Sequence, residues 1–93
     1  MVIQHKYSGS KGLFFISENE EMVGELIYTI SPGREMIIEH TEIDQALRGG
    51  NLGYELVNKA VEYARSHHYK IIPLCQFARA VLEKKPELRD VLA

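Results

Sequence analysis

Two short stretches of this chain hold side chains that could move a proton or grip an anion. In the first, Glu39-His40-Thr41-Glu42-Ile43, an imidazole stands among carboxylates. Extended alternation would put His40 and Glu42 on one face and Glu39 and Thr41 on the other, so His40 and Glu42 could share a site. Imidazole titrates near neutrality without tuning, whereas a glutamate must be buried before it can act as a base there. His40, Glu39 and Glu42 are therefore the candidate general bases. In the second stretch, Arg48-Gly49-Gly50-Asn51-Leu52-Gly53, three glycines in six residues let the backbone take left-handed angles and let a ligand approach without meeting a Cβ. If a helix starts here, its first amides point into that space with the positive end of the dipole behind them. That is a phosphate cradle, and Arg48 at its mouth adds a cation. It is not a P-loop, because no Lys-Ser/Thr pair follows, and Asn51 and Leu52 break the GxGxxG spacing. Asn51 tolerates left-handed angles and is also a good helix N-cap, so its side chain competes for the same amides.

Cys75 is the one cysteine in the chain, so no internal disulfide is available. It stands just past a short strand at the start of a helix, where the dipole favours a thiolate. Three roles stay open for it: a nucleophile that accepts an acyl group, an acid that protonates a leaving group, or a small buried residue. No metal site is expected, because His67 and His68 are adjacent and lack ligand spacing.

These groups need elements to hold them. From Leu52 the apolar residues fall at Leu56, Val57, Ala60, Val61 and Ala64, which predicts an amphipathic helix over residues 51–66. Glu55 and Lys59 lie four apart on its outer face. Upstream, residues 4–8 read as a short edge strand. Residues 12–17, 22–30 and 34–43 read as a three-stranded antiparallel meander, punctuated by Glu18-Asn19-Glu20-Glu21 and Ser31-Pro32-Gly33. Residues 70–74 form a strand that, after a helical crossover, should lie parallel to the fourth. Pro73 has no amide proton, which suits a place where pairing stops. Residues 76–83 predict a short helix with Phe77, Val81 and Leu82 inward, and Pro86 starts a final helical turn.

The chain of 93 residues predicts one domain, residues 1–93, with a single core. A hydrophobic fraction of 45% and a charged fraction of 26% predict an ordered globular chain. A formal charge of −2 argues against a nucleic-acid partner. No apolar run approaches the roughly 18 residues of a membrane span, and the first residues lack a secretory apolar region, so a cytoplasmic location is expected.

In its order of elements and in Arg48-x-x-Asn51-x-Gly53, the chain resembles the Gcn5-related N-acetyltransferases, whose acetyl-CoA loop reads (Gln/Arg)-x-x-Gly-x-(Gly/Ala) between the fourth strand and the long helix. Asn51 stands where that family has its middle glycine. The resemblance narrows to very small single-domain members through His40-Thr41, through Cys75 with Phe77 two residues on, and through Pro86-Glu87-Leu88-Arg89-Asp90-Val91. It implies an α+β fold with a mixed, mostly antiparallel sheet, a parallel splay between strands 4 and 5, one long helix and one or two short C-terminal helices. It implies acetyl-CoA as cosubstrate, held by Ile43, Leu47, Arg48, Gly49, Gly50, Asn51, Leu52, Gly53 and Phe77, with His40, Cys75 and Glu42 catalytic. The acceptor would be an amine, small molecule or protein, and the chain a monomer or weak homodimer. Longer relatives place helices between their first two strands, where only residues 8–12 stand here, so the acceptor groove should be open. The alternative is a non-catalytic acetyl-CoA- or CoA-binding regulatory module, with Cys75 able to form a mixed disulfide with CoA.

Overall fold

Four strands precede any helix. In the computed structural model, which describes residues 2–93, β1 (Ile3–Ser8), β2 (Lys11–Glu18), β3 (Glu21–Ile30) and β4 (Glu35–Ile43) form an antiparallel meander. β1 pairs along its whole length with β2, so the meander has four strands where the sequence predicts three and an edge. β5 (Lys70–Pro73) lies parallel beside β4, giving the order β1-β2-β3-β4-β5. Asn19 and Glu20, both at positive φ, turn β2 into β3, as a tight hairpin requires.

A 3₁₀ turn (Gln45–Leu47) leads to the helix α1 (Leu52–His67). Gly53, Leu56, Val57, Ala60, Val61 and Ala64 form its buried stripe, the spacing that the sequence predicts. Each fully buried leucine or valine on it contributes about 1.5–3 kcal/mol. The helix stops at His68, which takes left-handed angles (φ 60, ψ 41) and bonds back to the carbonyls of Ala64 and Arg65. After β5 come α2 (Gln76–Lys84) and a second 3₁₀ turn (Pro86–Val91), which buries Leu88 and Val91. Ala78 and Leu82 are the buried residues of α2, while Val81 is half-buried and Phe77 stays exposed. The expectation that Phe77 points inward is thus corrected. Its ring lies over Gly53, where an added Cβ would sit 2.6 Å from it.

One core joins the helices to a single face of the sheet through Phe14, Ile16, Leu26, Tyr28, Met36, Ile38 and Ile71. Among the described residues no helix covers the opposite face. The β3–β4 register shifts between Ile27 and Tyr28, which pair with His40 and Ile38 and leave Glu39 bulged between them. The bulge resets the alternation. Met36 and Ile38 face the helices, and beyond Glu39 it is Thr41, the partner of core Leu26, and Ile43 that do so. His40 and Glu42 are left on the open face. Glu39 is there too, within 3.5 Å of Lys11, rather than on the side of Thr41 as regular alternation predicts. No helix is long and apolar enough to cross a membrane.

Candidate active site

Pairing between β4 and β5 ends at Ile38 and Pro73. The Ile38 carbonyl accepts from the amides of both Leu74 (3.0 Å) and Cys75 (3.3 Å), and the strands then part. Residues 40–43 keep β3 as their one strand partner. The Asp44 amide donates to Val23 (2.8 Å), and alternation along an antiparallel ladder then aims the Thr41 and Ile43 amides away from β3, into the gap. A strand with a spare amide at Ile43 thus borders a wedge-shaped opening.

The glycine-rich turn closes the other end of this opening. Asp44 caps the 3₁₀ turn by accepting from the Ala46 amide (2.9 Å), and the Arg48 guanidinium donates through Nε to the Ile43 carbonyl (3.2 Å). The first backbone bond of α1 runs from the Glu55 amide to the Asn51 carbonyl, so the amides of Leu52, Gly53 and Tyr54 have no acceptor within the helix. Asn51 sits at the N-cap position at φ −100, and its side chain makes no capping bond, so it does not occupy those amides. Of the three glycines, Gly49 alone takes a positive φ (94), and a Cβ there would meet nothing within 4 Å. Gly53 serves a different purpose, close approach to Phe77.

A cleft of about 400 Å³ runs between the turn and β4, and Ile43, Leu47, Arg48, Gly49, Gly50, Gly53 and Phe77 all line it. Thr41 and Glu42 complete the wall. Asn51 lines a neighbouring hollow and Leu52 packs against the core, so these two of the expected cofactor residues stand outside the cleft lining.

His40 Nε2 lies 2.9 Å from Glu42 Oε2 and 3.9 Å from Glu25 Oε2, with about half of its side chain exposed. An ionised carboxylate only accepts hydrogen bonds, so contact with Glu42 places the proton on Nε2 and leaves Nδ1 as the basic nitrogen. Cys75, half-buried at the N-cap of α2, is on the other side of β4. Burial pushes its thiol pKa up, but the Thr41 side chain and the amides of Ala78, Phe77 and Thr41 outweigh this and hold it below the usual thiol range. The Thr41 hydroxyl is buried and has no other hydrogen-bond partner. His40 and Cys75 therefore have separate polar partners and do not form a nucleophile–base pair.

Sequence reasoning misses Glu25 and Thr41. Counting back along the hairpin from Ser31-Pro32-Gly33 pairs Glu25 with Thr41, whereas the bulge at Glu39 moves it opposite Glu42. Thr41 was visible only as the neighbour of His40.

Residues 13–91 match the family described as GCN5-related N-acetyl-transferase. The fold superposes on a GCN5-like protein from Staphylococcus aureus with a TM-score of 0.75 and 32% identity, over 97% of this chain and 87% of that one. A ribosomal-protein-alanine N-acetyltransferase from Brucella melitensis shares the fold at a TM-score of 0.65 and 15% identity, over 81% of this chain and 62% of that one. A Clostridium acetobutylicum protein solved with acetyl-CoA does so at 0.70 and 16%, over 81% and 56%. The chain spans less than two thirds of these last two. No curated protein matches it.

Proposed function

The chain belongs to the GCN5-related N-acetyltransferases, and from that premise we propose that it transfers an acetyl group from acetyl-CoA to the nitrogen of an amine. The family uses acetyl-CoA as cosubstrate. The observation that carries the reading is one continuous cleft joining the Arg48–Gly53 turn to the unpaired edge of β4. Its residues fit the cofactor: spare amides at the front of α1 and the Arg48 guanidinium suit a diphosphate. The free amide of Ile43 suits an extended arm that pairs like a strand. Acetyl-CoA, when bound, supplies an acetyl group activated as a thioester.

The rest falls to side chains of this chain. His40 takes the proton of the acceptor ammonium at Nδ1, with Glu42 holding the ring in one tautomer. Cys75, placed at the fork with an eased thiol, holds a proton for a departing thiolate. Charge-assisted hydrogen bonds contribute about 1.5–3 kcal/mol each, and micromolar binding needs about 8 kcal/mol. Amides and Arg48 supply part of that, Leu47 and Phe77 must supply the rest, and micromolar affinity is expected.

Acetyl-CoA turnover over a panel of amines tests this. Wild type should release CoA faster than spontaneous hydrolysis, and His40→Ala should lower kcat by about 10²–10⁴-fold with cofactor affinity retained. Cofactor binding without release of CoA for any amine would leave the non-catalytic CoA-binding module as the function.

A further inference from the structure

The two edges of the sheet are finished differently. β5 is a strand of 4 residues with Pro73 at its end. Leu92 and Ala93 cover its outer side, Leu92 as a bridge to Ile71 and Ala93 by donating its amide to the Ile71 carbonyl (3.0 Å). Shortness, proline and a covering segment are devices that stop a sheet edge from pairing with another chain. β1 has none of the three. It runs 6 residues in unbroken register with β2, and among the described residues nothing pairs with its outer side. The two most exposed large hydrophobic side chains of the described residues, Val2 (76%) and Tyr7 (69%), stand beside it and on it.

Which groups this edge offers follows from the ladders. The Ile30 amide donates to the Ser10 carbonyl (2.7 Å), and the Asp44 amide to Val23 (2.8 Å). Successive residues of a strand aim their N–H and C=O groups to opposite sides. Even-numbered residues of β3 therefore bond to β2, and through the register of β2 it is Gln4, Lys6 and Ser8 of β1 that bond inward. Ile3, His5 and Tyr7 hold theirs outward and free.

A second copy of β1, turned antiparallel by a two-fold axis, offers the same residues, so odd positions must meet odd ones. With the axis at His5, Ile3 meets Tyr7 of the second copy, Gln4 meets its Lys6 and Val2 its Ser8, and the ladder takes in the whole strand. Moving the axis to Gln4 shortens the ladder. Moving it to Lys6 also shortens it and sets that ammonium against its own copy, and like charges so placed destabilise a sheet. Length and charge thus select one register. His5, on the axis, already has its Nε2 turned inward to the Tyr28 hydroxyl (2.6 Å), and α1 packs chiefly over β2–β5 rather than over the edge.

We propose that the chain forms a two-fold dimer by antiparallel pairing of its β1 edges, which joins two five-stranded sheets into one continuous sheet. Main-chain bonds at Ile3, His5 and Tyr7 carry the contact, and each Gln4 lies opposite Lys6 of the second copy. A single pair of strands is a small interface, so a dissociation constant of about 1 μM or weaker is expected. The inference goes beyond the acetyltransferase reading and does not depend on it.

Sedimentation equilibrium between about 1 μM and about 1 mM tests this. Wild type should pass from monomer to dimer within that range. Gln4→Glu sets a carboxylate opposite each lysine, and Gln4→Lys a second ammonium, at two symmetric places. The dissociation constant should fall about two- to thirtyfold in the first and rise by a like factor in the second. Gln4 and Lys6 are exposed, so both variants keep their fold. Tyr7→Pro removes an outward N–H, at a position where an edge strand tolerates proline, and should give a monomer at every concentration with the circular dichroism of wild type. A wild type that stays monomeric up to about 1 mM overturns the proposal. So does a folded Tyr7→Pro that dimerises as wild type does. Even if Tyr7→Pro does not fold, a dimer that the two Gln4 variants leave unmoved, or shift in the same direction, overturns it.

Discussion

A methyl group at Gly53 would sit 2.6 Å from the Phe77 ring, and Phe77 is 43% exposed. The ring can swing aside, and alanine is the better helix former by about 1 kcal/mol, so Gly53→Ala should leave stability within about 1 kcal/mol of wild type. Because the same ring walls the cleft, acetyl-CoA affinity should fall several-fold. Asn51 is the contrasting residue. Its side chain makes no capping bond and its φ is ordinary, so Asn51→Gly should leave affinity unchanged, and isothermal titration of both variants separates the two cases. Much of the shape of this turn was legible in the sequence, because its parts are local: Arg48, the glycines and the start of α1 lie within a few residues of one another. What local pattern could not supply was which glycine serves the backbone and which serves a neighbour. That depends on where α2 places Phe77, more than twenty residues away in the chain.

At the scale of elements, α1 ends on a histidine in a conformation that glycine prefers. His68 bears the left-handed angles exposed to solvent, so His68→Gly should raise stability by about 0.5–1 kcal/mol, read as a higher urea midpoint at constant slope. The boundaries of α1 and of the strands were legible because apolar spacing and turn residues agree. Register was not. The bulge at Glu39 has no signature in composition, yet it decides which side of the sheet His40 reaches and which residue Glu25 faces. The site is assembled by pairing between strands, and pairing is a long-range property.

Across the whole molecule, acid stability should report a group far from the cleft. The Tyr28 hydroxyl, fully buried and held above its usual pKa chiefly by that burial, shares a 2.6 Å hydrogen bond with His5 Nε2. Burial first, and the nearby His67 second, hold the His5 pKa below 6.5. The unfolded chain therefore binds the proton more readily, so stability is complete above about pH 6.5 and declines as pH falls from there toward the folded value. Denaturant midpoints should drop as pH falls below about 6.5, and His5→Gln should flatten that drop. Asp90, held below 3.8 by hydrogen bonds from Arg65, belongs to a separate and more acid window. The extra residue of β4 has one more effect on the molecule. Bulges sharpen strand twist, and this one lies where β4 leaves β5, so Glu39 works as a doorstop between them. Shortening the strand by that single residue would keep every later side chain on its present side yet let the two strands zip together. The entrance would shut with the interior intact, so deletion of Glu39 should abolish acetyl-CoA binding in a protein that still folds, an effect no substitution at Glu39 reproduces.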